Sequence, residues 1–279
     1  MSRFTLRTAA VSVALLWGSV SLPSWAADTP AAPAYTTKDL NEQLVLATLW
    51  MQASGEFKAL SYQAFNLAKL RLDMYLAGHP GGKKVAVIVD ADETVLDNSA
   101  YEAWLVGKDF GYSSKTWDKW MEAAEAKAMP GAVAFLNYVK KRGGEVFYVT
   151  NRKEVGKAGT IKNMKALGFP FVDDAHLMLR TDSSNKEPRR QQIAADYDVA
   201  LLMGDNLNDF SAAFDTKTLE EGDAAVESNK AKFGAEFIVL PNPTYGDWEG
   251  KVYNNNWGAS PAEKDQMRKA HLHPWQPAE

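Results

Sequence analysis

Four short apolar runs recur along the chain, at residues 85–89, 145–149, 199–203 and 237–240. Continuous runs of this length, rich in β-branched and aromatic residues, are typical of strands buried on both faces of a parallel sheet. Segments with helical periodicity lie between the runs, at residues 131–142, 155–168 and 186–196. This alternation predicts an α/β fold whose parallel strands are joined by crossover helices.

A helical segment precedes the first strand. Apolar residues recur at roughly helical spacing over residues 37–77, which predicts one or two helices separated at Gly55. The glycine-rich cluster at residues 78–82 ends this segment. We therefore assign residues 27–82 to a linker and a helical arm that packs on the core. The sequence leaves open whether this arm also pairs two subunits in a homodimer.

Residues 1–26 have the pattern of a secretory signal peptide. Arg3 and Arg7 precede a short apolar stretch, which ends in the small residues Ser24 and Ala26. An N-terminal core helix is the alternative, but an Ala- and Pro-rich linker follows the stretch. We expect cleavage near Ala26 and a periplasmic or secreted protein. No apolar run is long enough to predict a membrane span.

The amino-acid composition excludes several kinds of site and argues against one kind of partner. The 279 residues include four histidines and no cysteine, which excludes disulfides and thiolate metal sites and predicts no lipid-modified cysteine. The formal net charge is −4 and no basic block occurs, so we expect no nucleic acid polymer as a partner.

Acidic residues follow two of the predicted strands. Asp90 and Asp92 come directly after the first run, and Asp205 and Asp209 follow the third. Ligands of open α/β sheets bind beyond the carboxyl ends of the strands, so we expect these side chains to converge. Four acidic groups at one edge indicate a hard divalent cation, with Mg²⁺ as the best match. The alternative is that each pair only caps a helix or closes a turn.

The same residues are suited to phosphoryl chemistry. Asp90 could act as a nucleophile, and Asp92 as a general acid and base. Thr150, after the second run, offers a hydroxyl to a phosphoryl oxygen, and Lys186, at the start of a predicted helix, offers a positive charge. The alternatives are a turn or N-cap residue for Thr150 and a solvated surface lysine for Lys186.

These motifs resemble the haloacid dehalogenase superfamily of phosphohydrolases. They resemble one branch closely, the bacterial class C (DDDD) acid phosphatases, also described as lipoprotein 5′-nucleotidases. Two aspartate-pair signatures carry the resemblance, at residues 88–101 and 204–210. Further stretches that look like this family are residues 62–66, 130–133, 147–152 and 241–249. The likeness covers nearly all of the chain after the signal.

The resemblance implies a Rossmannoid parallel sheet with helices on both faces and a small, mainly helical cap. The cap would be an insert at about 97–130 in a core of residues 83–279, with a C-terminal tail at about 250–279. The chain departs from the family pattern at Ala91, where Ile or Leu is usual. It also lacks the lipid-anchor cysteine of many members, which favours a soluble periplasmic or secreted form.

The resemblance also implies a mechanism. Asp90 forms an aspartyl-phosphate, while Asp92 protonates the leaving oxygen and then activates water. The Asp90 carboxylate, the Asp92 backbone carbonyl and Asp205 would hold Mg²⁺. Thr150 and Lys186 would bind the phosphoryl oxygens.

Asp209 would either hold a metal-bound water or orient Lys186. Asn151, beside Thr150, is assigned to substrate binding.

The aromatic-rich insert indicates how a substrate would be recognised. Trp104 and Trp120 are expected to form the core of the cap itself. Phe110, Trp117 and Asp118 match positions that contact the nucleoside in related enzymes.

Tyr245 matches an aromatic residue that stacks on the base, and stacking tolerates any base because every base has a π-face. The alternative for Tyr245 is a ring that closes the C-terminal turn.

The sequence thus predicts an exported, Mg²⁺-dependent acid phosphatase acting on phosphomonoesters, with nucleoside monophosphates as the expected substrates. Two alternatives stay open: a secreted nucleotide- or haem-binding protein on the same fold, and a related phosphotransferase. The intact Asp90 argues against a binding protein, which needs no nucleophile.

Overall fold

The computed structural model describes residues 34–79 and 81–277. The strands are β1 (Lys84–Val89), β2 (Leu96–Asp97), β3 (Lys127–Ala128), β4 (Glu145–Lys153), β5 (Leu177–Arg180), β6 (Tyr197–Gly204) and β7 (Phe237–Val239). Five of them form one sheet in the order β5-β4-β1-β6-β7, and every neighbouring pair is parallel. The predicted parallel sheet is confirmed, and the four predicted runs correspond to β1, β4, β6 and β7. The edge strand β5 was not predicted.

The helices are α1 (Thr37–Asn41), α2 (Leu44–Ala53), α3 (Gly55–Gly78), α4 (Ser99–Leu105), α5 (Ser114–Ala123), α6 (Ala132–Lys141), α7 (Lys157–Leu167), α8 (Glu187–Asp196), α9 (Leu219–Asn229), α10 (Asp247–Val252) and α11 (Pro261–Ala270). The three predicted crossover helices correspond to α6, α7 and α8. Short 3₁₀ helices lie at Glu154–Gly156, Leu207–Asp209 and Ala212–Phe214.

The central strand β1 is buried on both faces, as its continuous apolar sequence requires. Successive side chains of a strand point to opposite faces. Val85, Val87 and Val89 therefore join one core cluster, which also contains buried residues of α3 and α6. Ala86 and Ile88 face the other way, into a smaller cluster with Ile193 of α8. Helices thus cover both faces of the sheet.

The predicted helical arm consists of α1, α2 and α3. The long helix α3 begins after Ser54, whose hydroxyl accepts a hydrogen bond from the Phe57 amide at 3.0 Å. The break thus lies one residue before Gly55. Buried residues recur on one side of α3, at Ala64, Phe65, Ala68 and Leu72. They pack into the main core cluster, so this helix is part of the sheet's cover.

A small insert between β1 and α6 carries α4 and α5. The antiparallel pair of β2 and β3 closes its base. Ser113 caps the start of α5, where its hydroxyl accepts from the Thr116 amide, and Ala124 follows the helix in the left-handed conformation. Trp104 is 44% exposed, so the expectation that it fills the cap core is wrong.

The C-terminal segment folds back on the arm, where α11 lies against α1. Gln43 donates to Asp265 at 2.7 Å, and Arg268 donates to the Gln43 side-chain oxygen at 2.8 Å. Arg268 also pairs with Glu249 at 2.5 Å. The tail is therefore tied to the arm by polar contacts.

The predicted signal peptide at residues 1–26, with its cleavage site near Ala26, lies outside the described residues. Among the helices that the structure describes, none combines the length and the apolar character that crossing a bilayer requires.

Candidate active site

The carboxyl end of β1 places Asp90 at the centre of the sheet edge. Its backbone amide donates to the Met203 carbonyl of the neighbouring β6 at 2.9 Å, and its side chain is buried. Lys186, the residue before α8, reaches the same point. Its ammonium donates to Oδ1 of Asp90 and, at 2.6 Å, to Oδ1 of Asp209. The predicted surface alternative for Lys186 is therefore wrong, because this lysine is buried between two carboxylates.

Three carboxylates converge at this edge. One oxygen each of Asp90, Asp205 and Asp209 lies within 4.8 Å of the other two. Asp205 is fixed from two sides, since Thr94 donates to its Oδ1 at 3.2 Å and Asn242 to its Oδ2 at 2.8 Å. The predicted convergence therefore holds for three of the four acidic residues, Asp90, Asp205 and Asp209.

The electrostatics of this cluster favour a cation. Burial raises the pKa of Asp90 to about 7, with Lys186 opposing the shift and Asp209 adding to it. Burial, followed by the charges of Asp209 and Asp90, raises the pKa of Asp205 well above its usual range. Burial alone would lower the pKa of Lys186, but the two carboxylates raise it. One lysine does not balance three acids, and an all-oxygen donor set of this kind fits a hard divalent cation such as Mg²⁺.

Gly204 allows Asp209 to approach the end of β6. A Cβ built on Gly204 would lie 2.6 Å from Asp209 Cγ, closer than real Cβ contacts come. The other carboxylate oxygen of Asp209 accepts from the Asn206 amide at 3.0 Å. Asp209 is therefore held by a backbone donor on one side and by Lys186 on the other.

Asp92 points away from the three carboxylates and into a second network. Arg152 donates to its Oδ1 from Nε at 2.9 Å, and Asn98 donates to the same atom at 2.9 Å. Arg152 is almost fully buried and also donates to Asn98 and Thr160, at 3.1 Å each. The side chain of Asp92 is thus outside the carboxylate cluster, and only its backbone carbonyl stays a predicted metal ligand.

Thr150 lies inside β4, which continues to Lys153 because that residue still pairs with β5. Its side chain is buried, and its hydroxyl accepts from the Arg152 amide at 3.1 Å. Asn151 is exposed, and Arg189 donates to its side-chain oxygen at 2.9 Å. Arg189 also donates to the Thr150 carbonyl at 2.6 Å, so it fixes this part of the strand.

A hydrogen bond joins the C-terminal loop at Tyr245 to the turn that follows β1, next to Asp92. Tyr245 donates its hydroxyl to Glu93, which is fully buried and adopts a left-handed backbone with φ 54°. The Asn98 amide donates to the other Glu93 oxygen at 2.9 Å. Burial, and then the nearby Asp92 and Asp205, raise the pKa of Glu93 well above its usual range. These bonds hold a conformation that costs a non-glycine residue about 1–2 kcal/mol.

The predicted nucleoside contacts lie in the cap. The Arg152 guanidinium carbon is 5.6 Å from the ring centre of Trp117, which connects this ring to Asp92. Phe110 is 44% exposed and packs beside Trp104, with 5.4 Å between ring centres. Asp118 is partly exposed and has no side-chain hydrogen bond or ion pair within the described part of the chain. Trp117 alone among these residues contacts the Asp92 network directly.

A family model described as HAD superfamily, subfamily IIIB (Acid phosphatase), matches residues 9–248. The chain belongs to this family. Two solved structures of the class C acid phosphatase from Bacillus anthracis, one of them with tungstate bound, are 43% identical to it, with TM-scores of 0.81 and 0.82. Each match covers 85% of this chain and 99% of the relative. The predicted resemblance to the class C branch is confirmed.

A curated relative of this acid phosphatase gives a shorter match. Acid phosphatase 1 of Solanum lycopersicum is 32% identical over 87 residues, which are 29% of this chain and 32% of the relative. The chain thus aligns with about a third of that relative's length. Acid phosphatases are phosphoric monoester hydrolases, so the family agrees with the predicted class of enzyme.

Three residues of the acid phosphatase site were assigned no role from the sequence, although Glu93 and Arg152 stand among the polar residues that follow the first two predicted strands. Asn98, Arg152 and Glu93 surround Asp92, although Arg152 is 60 residues from it in the chain. The available signal was local: Glu93 and Asn98 lie within the first aspartate signature, and Arg152 follows Thr150-Asn151. Nothing in the sequence pattern shows that a charged side chain there is buried.

Proposed function

We propose that this acid phosphatase hydrolyses phosphomonoesters by transferring the phosphoryl group to Asp90 in a Mg²⁺-dependent reaction. The observation that carries the proposal is the buried Lys186, held between Asp90 and Asp209 at the carboxyl edge of the sheet. A nucleophilic carboxylate beside a buried positive charge is what attack on an anionic phosphoryl group requires.

Asp90 is the nucleophile. Its attack on phosphorus forms the aspartyl-phosphate and expels the leaving oxygen. Lys186 stabilises the charge on the equatorial phosphoryl oxygens, and Asp209 keeps the ammonium in place. The Thr150 hydroxyl can donate to a phosphoryl oxygen, because its contact with the Arg152 amide uses only its acceptor side.

Asp92 transfers the protons. It protonates the leaving oxygen in the first step, and it then takes a proton from the water that cleaves the aspartyl-phosphate. Asp92 is two residues from the nucleophile in sequence, but its side chain is outside the three-carboxylate cluster, which suits a residue that transfers protons.

The Asp90 carboxylate, Asp205 and the Asp92 backbone carbonyl are the groups that would hold Mg²⁺. When bound, the cation supplies positive charge next to the phosphoryl oxygens. Tungstate is bound in a Bacillus anthracis relative. Because tungstate is a tetrahedral oxyanion like phosphate, that complex supports a phosphate site in this fold.

We also propose that nucleoside monophosphates are the preferred substrates and that the protein acts after export. Tyr245 would stack on the base, and Phe110, Trp117 and Asp118 of the cap would contact the nucleoside, with Asn151 at the phosphate end. The contact between Trp117 and Arg152 supports this, since it brings one of these rings within reach of the Asp92 network. Export rests on the predicted signal at residues 1–26.

The test measures phosphate release from p-nitrophenyl phosphate and from a panel of nucleoside monophosphates. The assay is run with Mg²⁺, with EDTA, and with the variant Asp90→Asn. Asp215→Asn is the matched control, because Asp215 is exposed and pairs only with the exposed Lys217 among the residues described.

We expect turnover with Mg²⁺, its loss in EDTA and in Asp90→Asn, and full activity in Asp215→Asn. An Asp90→Asn variant as active as the parent would contradict the mechanism. Nucleotide binding without turnover would instead support a binding protein on this fold.

A further inference from the structure

The two carboxylate oxygens of Asp92 have different surroundings. Oδ1 accepts from Arg152 Nε at 2.9 Å, lies 2.7 Å from Arg152 Nη2, and accepts from Asn98 Nδ2 at 2.9 Å. Within residues 34–79 and 81–277, Oδ2 accepts no hydrogen bond. The Asp92 side chain is 17% exposed, whereas that of Arg152 is 1% exposed. One oxygen is therefore fixed and the other is accessible.

From this asymmetry, and resting on the function proposed above, we propose that Arg152 and Asn98 are positioning residues for proton transfer. They hold Oδ1 of Asp92 so that Oδ2 is the atom that gives the proton to the leaving oxygen. An oxygen that already accepts several donated hydrogen bonds has little room for a proton of its own, so the proton resides on the other oxygen.

Helix α5 of the cap contacts both residues that hold Asp92. Trp120 donates its indole N–H to Oδ1 of Asn98 at 2.8 Å, and Arg152 donates to the same oxygen at 3.1 Å. Because Oδ1 of Asn98 is taken by two donors, its amide nitrogen must face Asp92. Trp117, three residues earlier on α5, lies beside the Arg152 guanidinium. The two tryptophans thus fix the orientation of the residues that hold Asp92.

The proton balance of the step is simple. The Asp90 carboxylate oxygen forms a bond to phosphorus as the ester P–O bond breaks, and the proton on Asp92 Oδ2 moves to the departing oxygen. In the second step a water oxygen bonds to phosphorus, its proton returns to Asp92, and the Asp90 carboxylate leaves. No other reactant is needed.

The test compares two aryl phosphates that differ in the basicity of the leaving group, phenyl phosphate and 2,4-dinitrophenyl phosphate, with Mg²⁺ present. The dinitrophenolate leaves without a proton, whereas the phenolate needs one. The parameter is kcat/KM, which reports only the steps up to departure of the leaving group. The variants are Arg152→Lys, Asn98→Ala and Asp92→Asn, with Arg268→Lys as a control at an ion pair outside the site.

General acid catalysis contributes about 10²–10⁴-fold, so Asp92→Asn should lose activity in this range on phenyl phosphate only. We expect Arg152→Lys and Asn98→Ala to lose at least about tenfold on phenyl phosphate and less than about threefold on the dinitrophenyl ester, as partial losses of that effect. Arg268→Lys should change neither value. Arg152→Lys keeps the positive charge but loses the planar arrangement of guanidinium donors, so a loss of activity in this variant would show that the position of Asp92 matters and not only the charge beside it.

Equal losses on both substrates in Arg152→Lys and Asn98→Ala, with a selective loss in Asp92→Asn, would overturn the positioning role and leave the proposed function intact. Equal losses in Asp92→Asn would instead contradict both. If those variants fail to fold, Trp120→Phe serves as the second test, because it removes the N–H that orients Asn98 and keeps an aromatic ring in the cap. It should show the same selectivity with a smaller loss, and an unchanged substrate ratio would count against the proposal.

Discussion

The close approach of Gly204 and Asp209 leads to a sharp prediction. In Gly204→Ala, the added methyl would lie 2.6 Å from Asp209 Cγ, whereas ordinary contact begins at 3.4 Å. The Asp209 side chain must therefore retreat by at least about 0.8 Å, because its Cβ and Oδ2 would lie closer still, and Lys186 loses its partner on that side. A displacement of about 1 Å at a reacting centre can cost about 10²-fold in rate. We expect a loss of that order in kcat/KM for p-nitrophenyl phosphate.

The cost in stability should be modest, since overpacking of this kind destabilises a fold by about 1–3 kcal/mol. Thermal melting would show that the variant is folded. Gly222→Ala is the matched control, because Gly222 is also buried but its Cβ would meet nothing closer than 3.4 Å. Parental kcat/KM in Gly204→Ala would show that the position of Asp209 does not matter to catalysis, contrary to the role given to it here.

Three further outcomes follow from other parts of the molecule. Burial, and then the charge of Glu249, raise the pKa of Glu102 to about 7. Because the same group ionises near pH 4.5 in the unfolded chain, the free energy of unfolding falls as the pH rises from about 4.5 to 7. In denaturant titrations, Glu102→Gln should therefore raise the free energy of unfolding by up to roughly 3 kcal/mol at pH 8 and leave it unchanged at pH 4. Tyr245→Phe should keep the preference for AMP over a small aliphatic phosphate and Tyr245→Ala should lose it, and equal losses on both substrates in Tyr245→Ala would remove the stacking role. Mg²⁺ at about 100 times its Kd should stabilise the parent by about 2.7 kcal/mol in melting experiments. It should not stabilise Asp205→Asn, and an equal stabilisation of both proteins would place the cation elsewhere.

The strands that position the site were predictable because both of their faces are buried. β1, β4 and β6 carry continuous apolar runs, and an apolar run of that length is typical of a strand buried on both faces. β5 escaped prediction because its four residues alternate between buried and half-buried positions at the edge of the sheet. The end of β4 was also missed, since Asn151 and Lys153 are polar and the strand extends past them through the pairing of Lys153 with Arg180 of β5.

The sequence predicts which residues form the candidate site, but not which side chains hydrogen-bond to one another within it. The positions of Asp90, Asp205 and Lys186 follow from strand ends and a helix start, which the sequence marks. The partners of Asp92 do not, because Arg152 reaches it only after β4 pairs with β1 and the turn after β1 closes. Tyr245 meets Glu93 across 152 residues of chain, which no local pattern can show.

The central claim is that the phosphoryl group passes through Asp90. The most direct measurement quenches the enzyme during turnover with Mg²⁺, reduces any acyl phosphate with borohydride, and sequences the peptides by mass spectrometry. We expect homoserine at position 90 in the parent, and neither homoserine nor activity in Asp90→Asn. Reduction at any other carboxylate, or turnover by Asp90→Asn at the parental rate, would contradict it.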